Sequence, residues 1–107
     1  MKLYLDDWRE PPSDDYIVVR TVNDLKEIVK KHGKEIEVLD LDNYMEEFAP
    51  FGGNGIDFIR WLEEAVFTGE VELNPDVKIV SHSSDPYMKR LIEEIGRGIK
   101  AYLRSKR

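Results

Sequence analysis

Ile36-Glu37-Val38-Leu39-Asp40-Leu41-Asp42 is the stretch on which the fold turns. It is a short apolar run, centred on Val38 and Leu39, that stops in two acids one residue apart. Such a run reads as a buried strand. Its neighbours on both sides read as helices. Upstream, Thr21 is an N-cap for a helix with Val22, Leu25, Ile28 and Val29 on one face, stopped after Lys30-Lys31-His32 by Gly33. Downstream, the Pro50- and glycine-containing loop 43–54 leads into a helix over Gly55 to Phe67, with Ile56, Ile59, Trp61, Leu62 and Val66 near the helical period.

The same alternation extends outward. Leu3-Tyr4-Leu5 is a strand ending in Asp6-Asp7, and Tyr16-Ile17-Val18-Val19-Arg20, rich in β-branched residues, reads as a second, buried strand. Val77-Lys78-Ile79-Val80 is a fourth, ending in Ser81-His82-Ser83-Ser84. A weaker apolar alternation covers Glu70 to Leu73. Asp85-Pro86 opens a helix with Met88, Leu91, Ile92 and Ile95 on its apolar face, which Gly96 closes, and Ile99 to Leu103 reads as a last short strand. Strands alternating with helices predict an α/β fold, a single domain over 1–107 with one open, mostly parallel five-stranded sheet flanked by about three helices. The link between the first two strands is too short for a helical crossover and contains Pro11-Pro12, so the helix expected there is reduced or lost. The predicted core is Leu3, Leu5, Ile17, Val19, Val38, Leu39, Ile79 and Val80 in the sheet, under Leu25, Ile28, Ile59, Leu62, Leu91 and Ile92.

Composition sets the partners. The chain has 107 residues, 22 acidic against 16 basic, and no cysteine. This excludes a disulfide scaffold and a thiolate metal site, and fits a cytoplasmic protein. There is no apolar run of membrane-spanning length, and the N-terminus meets acid too soon for a signal peptide. The last twelve residues carry Arg97, Lys100, Arg104, Lys106 and Arg107 and no acid, so the first 95 hold all 22 acids against 11 bases. That basic end is either a solvated terminus or a contact for phosphate or nucleic acid.

In open α/β sheets ligands bind beyond the carboxyl ends of the strands. Here those ends supply Asp6-Asp7, Asp40-Leu41-Asp42 and Ser81-His82-Ser83-Ser84-Asp85. Carboxylates converging there raise one another's pKa unless a cation joins them, which predicts Mg²⁺ or Mn²⁺ held by Asp6, Asp7 and Asp40. Asp42 or His82 would then serve as acid or base, and Arg9 would pair a phosphate oxygen. A phosphate-binding loop and a dinucleotide fingerprint are both absent, and the two-histidine phosphoesterase pattern fails because His32 is followed by Gly33-Lys34.

These strand-end motifs resemble the receiver (flavodoxin-like) domains of two-component signalling, with Asp6-Asp7 as the acidic pair, Asp40 as phosphoacceptor and Ser81 or Ser83 after the fourth strand. Ser105 stands where that family has its lysine. The sequence more closely resembles the cyclic-phosphate processing receiver domain, on Leu5-Asp6-Asp7-Trp8-Arg9, Leu39-Asp40-Leu41-Asp42 and His82-Ser83-Ser84-Asp85. Leu41 and Asp85 depart from the His and Asn usual in that branch. The resemblance implies a Mg²⁺-dependent phosphoesterase acting on a cyclic phosphate, such as a small molecule or an RNA 2′,3′-cyclic end, with Asp40, Asp42, His82 and Ser83 as catalytic residues. A receiver phosphorylated on Asp40 and a non-catalytic binding module are the other readings.

Overall fold

The computed structural model describes residues 1–106; Arg107, part of the basic end, lies outside the described residues. The elements in chain order are strand β1 (Lys2–Leu5), strand β2 (Tyr16–Val19), helix α1 (Val22–His32), strand β3 (Val38–Leu41), helix α2 (Gly55–Thr68), strand β4 (Lys78–Ser81) and helix α3 (Pro86–Ser105). Short 3-10 turns cover Gly33–Glu35 and Glu46–Phe48. The sheet is entirely parallel, in the order β2-β1-β3-β4. It therefore has four strands among the described residues rather than five.

The difference lies in α3. Ile99 to Leu103, expected as a strand, forms the last part of this 20-residue helix, and Gly96 lies inside the helix rather than at its end. Gly96 is present for close packing: a Cβ there would come within 2.8 Å of Ile79 Cγ2 and 3.1 Å of its Cβ. The glycine lets α3 settle against β4, and Ile92 and Ile99 are buried on the same helix. Glu70 to Leu73 forms no strand, although Val71 and Leu73 are buried.

Strand alternation assigns the two faces of the sheet. Leu3, Leu5, Leu39, Leu41 and Ile79 point to one side and are buried with Val22, Leu25, Val29, Phe58, Ile59, Leu62, Ile92 and Ile99. All three helices lie on this side. Lys26 and Lys30 of α1 reach over the Trp61 ring of α2 at 5.4 and 5.8 Å. The approach of Gly96 to Ile79 places α3 in the same layer. The opposite face carries Tyr4, Asp6, Tyr16, Val18, Val38, Asp40, Asp42, Val80 and His82, and no helix of the described residues covers it. The connector between β1 and β2, with the two prolines, runs beside Tyr16 and Val18 there, in place of the lost helix.

This two-layer arrangement corrects part of the predicted core. Val38 and Val80 face the uncovered side and are half-buried, while Ile17 on edge strand β2 is exposed. Ile28 packs half-buried against the core instead of filling it, and Leu91 is half-buried outside it; Ile92 is fully buried. The two glycines of α3 should therefore respond oppositely to alanine. A Cβ at Gly98 would have nothing within 4 Å, so Gly98→Ala gains about 0.5–1 kcal/mol of helix preference. Gly96→Ala forces Ile79 to move and is a net loss, overpacking costing about 1–3 kcal/mol. Ile92→Ala should cost about 2–5 kcal/mol and Leu91→Ala less. Urea unfolding of the four variants tests the ranking; equal effects at 96 and 98 would refute the packing assigned to α3.

Candidate active site at the carboxyl edge of the sheet

The ladder continues one step beyond the assigned strands. Asp6 N donates to Val19 O at 3.1 Å, Asp42 N to Leu5 O at 2.9 Å and His82 N to Leu41 O at 3.1 Å. The pairs Leu5–Leu41 and Leu41–Ser81 are in register, so Asp6, Asp42 and His82 occupy the next rung together. Alternation turns all three to the uncovered face. The same rule places Leu41 among the helices, fully buried, so the residue between the two acids belongs to the core and not to the site.

The imidazole of His82 organises the edge. It lies flat on the Tyr4 ring, 4.3 Å between centroids and 5° between planes. Nδ1–H donates to Asp40 Oδ1 at 2.7 Å and Nε2–H to Asp6 Oδ2 at 2.8 Å. Both nitrogens facing carboxylates is the arrangement of an imidazolium. Burial opposes the charge on His82, but the hydrogen bonds to Asp40 and Asp6 outweigh it and raise its pKa. Burial also works against ionised Asp6; the backbone N–H groups of Trp8 and Arg9, followed by His82, overcome it and lower its pKa. Asp42 is raised, chiefly by burial, with the Asp6 charge adding to it and the Asn43 N–H opposing. Asp7 is half-buried beside Asp6, and burial and then that neighbour raise it.

Side chains that sequence reading passes over fix these positions. Arg20 Nη1 donates to Asp6 O and Arg9 O at 3.1 and 2.8 Å, clamping the turn after β1. Asn43, fully buried, accepts from Ile56 N through its side chain and from Gly55 N through its carbonyl, tying β3 to α2. A Cβ on Gly55 would lie 1.9 Å from Asp42 O, so this approach requires glycine. Their sequence signals are present but weak: an arginine ending a strand, and an asparagine beside the paired acids.

The structure brings Asp6, Asp40, Asp42 and His82 together, with Asp7 at the margin. Arg9 lies near enough for its charge to act on Asp42 and Tyr4, its guanidinium over the Trp8 ring at 5.3 Å. Ser83 is buried in the loop after β4, its Oγ accepting from Asp85 N at 3.2 Å and its N donating to Ser81 Oγ at 3.1 Å. Among the described residues, Asp6, Asp42 and His82 each offer a ligand atom, all within 4.8 Å of one another. Two carboxylates and an imidazole form a donor set suited to Mn²⁺, and to Mg²⁺ less well because of the nitrogen.

A parallel sheet in the order 2-1-3-4, with acids closing β1 and β3 and a polar loop after β4, defines a receiver-like domain. Its closer kinship is specific: residues 1–97 match the family model of the cyclic-phosphate processing receiver domain, and the chain belongs to that family. No curated protein and no solved structure matches it. No helix among the described residues is long and apolar enough to cross a membrane.

The His82 network sets a pH dependence. Its contribution through His82 is complete below the ordinary imidazole value of 6.5 and is lost as pH rises through the raised value. The contribution of Asp6 is present above 3.8 and is lost as pH falls through its lowered value. Raised Asp42 and Asp7 give up stability on the alkaline side of 3.8 in any variant, so the comparison must be differential. In metal-free buffer, the melting-temperature advantage of wild type over His82→Asn should be greatest between those limits and shrink as pH rises through the raised value of His82. A difference that does not shrink anywhere on the alkaline side of 6.5 would contradict the imidazolium assignment.

Proposed function

We propose that this chain is a divalent-metal-dependent phosphoesterase that opens a cyclic phosphate. The observation that carries the reading is the convergence of Asp6, Asp42 and His82 on one rung of the sheet, within 4.8 Å, in a member of the cyclic-phosphate processing receiver family. Asp6, Asp42 and His82 Nε2 would hold Mn²⁺ or Mg²⁺, the Nε2–H bond to Asp6 giving way to a shared cation. Asp40 acts one step removed: accepting from Nδ1, it aims Nε2 at the cluster, as carboxylates commonly do behind metal-bound histidines. The bound cation supplies Lewis acidity to the phosphoryl group.

Opening the ring forms a P–O bond to water, breaks one ring P–O bond and moves one proton from the water to the leaving oxygen. With His82 engaged through Nε2 by the cation and through Nδ1 by Asp40, Asp7 is the better carrier for that proton. It is half-exposed beside the cluster, and its raised pKa suits a carboxyl that must accept a proton and release it. Arg9, reaching the same edge, pairs a phosphate oxygen. In this reading Ser83 shapes the loop that carries His82 and does not touch the substrate.

Purified protein with Mn²⁺ should hydrolyse a small cyclic phosphate to a monoester. Asp42→Asn should weaken Mn²⁺ binding by at least about tenfold, and Asp40→Asn by about 10–100-fold, the usual effect of losing the group behind a metal-bound histidine. Asp24→Asn, in the first turn of α1, should leave binding unchanged. Calorimetry and phosphate NMR measure both properties. Stable phosphorylation of Asp40 by a small phosphodonor without hydrolysis of any cyclic phosphate would overturn the proposal in favour of a signalling receiver.

A further inference from the structure

Six large hydrophobic side chains are exposed among the described residues; Trp8 and Tyr44 stand just beyond the strand ends of the carboxyl edge, and Tyr87 in the first turn of α3. Trp8 follows Asp6 by two residues and is 68% exposed; Tyr44 follows Asp42 by two and is 47% exposed; Tyr87, 67% exposed, begins the helix after the His82 loop. Asp6 and Asp42 share a rung, so Trp8 and Tyr44 leave adjacent strand ends at the same level. Single exposed aromatics are ordinary, but one beside each arm of a site is a pattern that core packing does not explain.

These rings are also held in place. Trp8 N donates to Asp6 Oδ1 at 3.0 Å, and the Arg9 guanidinium lies 5.3 Å from the indole, which steadies the ring. Asp85 ties the other two together: its Oδ2 accepts from Tyr44 OH at 2.9 Å, and its Oδ1 accepts from Tyr87 N at 3.0 Å. A tyrosine fixed through its hydroxyl keeps its ring available for contact at little further entropic cost.

The electrostatics ask for such a surface. Asp6, Asp7, Asp40 and Asp42 crowd an edge that must receive an anion, the His82 charge is already taken up by Asp6 and Asp40, and Arg9 is the further basic side chain acting there, so charge alone gives a cyclic phosphate little affinity. A neutral planar group attached to the phosphate would supply what charge does not, because stacking on an aromatic face is indifferent to the acids below. We infer that the rim formed by Trp8, with Tyr44 and Tyr87, binds the base of a nucleotide whose cyclic phosphate enters the acidic edge. This rests on the phosphoesterase reading for the phosphate, and on the rim alone for the base.

The test uses a Trp61→Phe background, in which Trp8 is the sole tryptophan emitter, since the chain has two. Three probes are titrated with Mn²⁺ present: adenosine 2′,3′-cyclic phosphate, the base-free glycerol 1,2-cyclic phosphate, and phosphate-free adenosine. The expected result is saturable quenching of Trp8 by both adenosine compounds, with the adenosine cyclic phosphate binding about 5- to 150-fold more tightly than the glycerol one, the worth of one stacked base. By calorimetry, Trp8→Ala should remove most of that difference and Trp8→Phe should retain most of it. Equal affinities of the two cyclic phosphates, or no quenching by either adenosine compound, would overturn the inference, the aromatics then serving a protein partner. If no cyclic phosphate is hydrolysed, the phosphoesterase reading fails separately, and adenosine alone still decides the rim: saturable quenching sustains it and its absence overturns it.

Discussion

Acids that close adjacent parallel strands repel one another, and the edge of this sheet depends on a single imidazolium to hold them. His82 reaches back from β4 over β3, lies on Tyr4 and donates to Asp40 and Asp6 from its two nitrogens. Without that charge, buried Asp6 would face Asp42 and Asp7 with only backbone N–H groups to offset the desolvation. The ring also fills the space between Asp6 and Asp40, so the carboxylate that clusters with Asp6 and the imidazole is that of Asp42. Position in the register, more than residue type, divides the acids into the pair that clusters with the imidazole and the one behind it.

Much of this is legible in the sequence because strand ends are easy to recognise in short apolar runs that stop in acid. Asp6, Asp40, Asp42 and His82 stand out that way, as does the missing helix, from Pro11-Pro12. Which acids face each other is not legible, since it depends on how β1 and β3 align, and a shift of one residue would exchange Asp42 for Leu41. Leu41 illustrates the point: in the sequence it resembles a changed site residue, and in the fold it lies in the core. The misreading of α3 has a different cause. Gly96 carries the usual mark of a helix end, yet it is where the helix touches Ile79; the spacing Ile92, Ile95, Ile99 and Tyr102 continues the helical period past it. Nothing local distinguishes a glycine that stops a helix from one that lets it approach a strand.

Loss of the crossover between β1 and β2 has an architectural effect beyond shortening the chain. With all three helices on one side, the other side of the sheet relies on its own side chains for cover. Tyr4 is buried there by the His82 ring above it and Tyr16 at its edge, at 6.0 Å and 74°. The histidine that joins the acids thus doubles as part of the lid of the second face, which couples the charge balance of the edge to the stability of the sheet.

The short connector also bears on the order in which the molecule assembles. Lys2 pairs with Tyr16 only 14 positions away, whereas Asp6 and His82 are 76 apart. Loop closure makes the first contact cheap and the second costly, so β1 and β2 can pair early and the imidazole arrives when β4 docks. A chain interrupted before β4 would display its acids without their counter-charge. Completion of the fold and completion of the acidic edge are therefore one event.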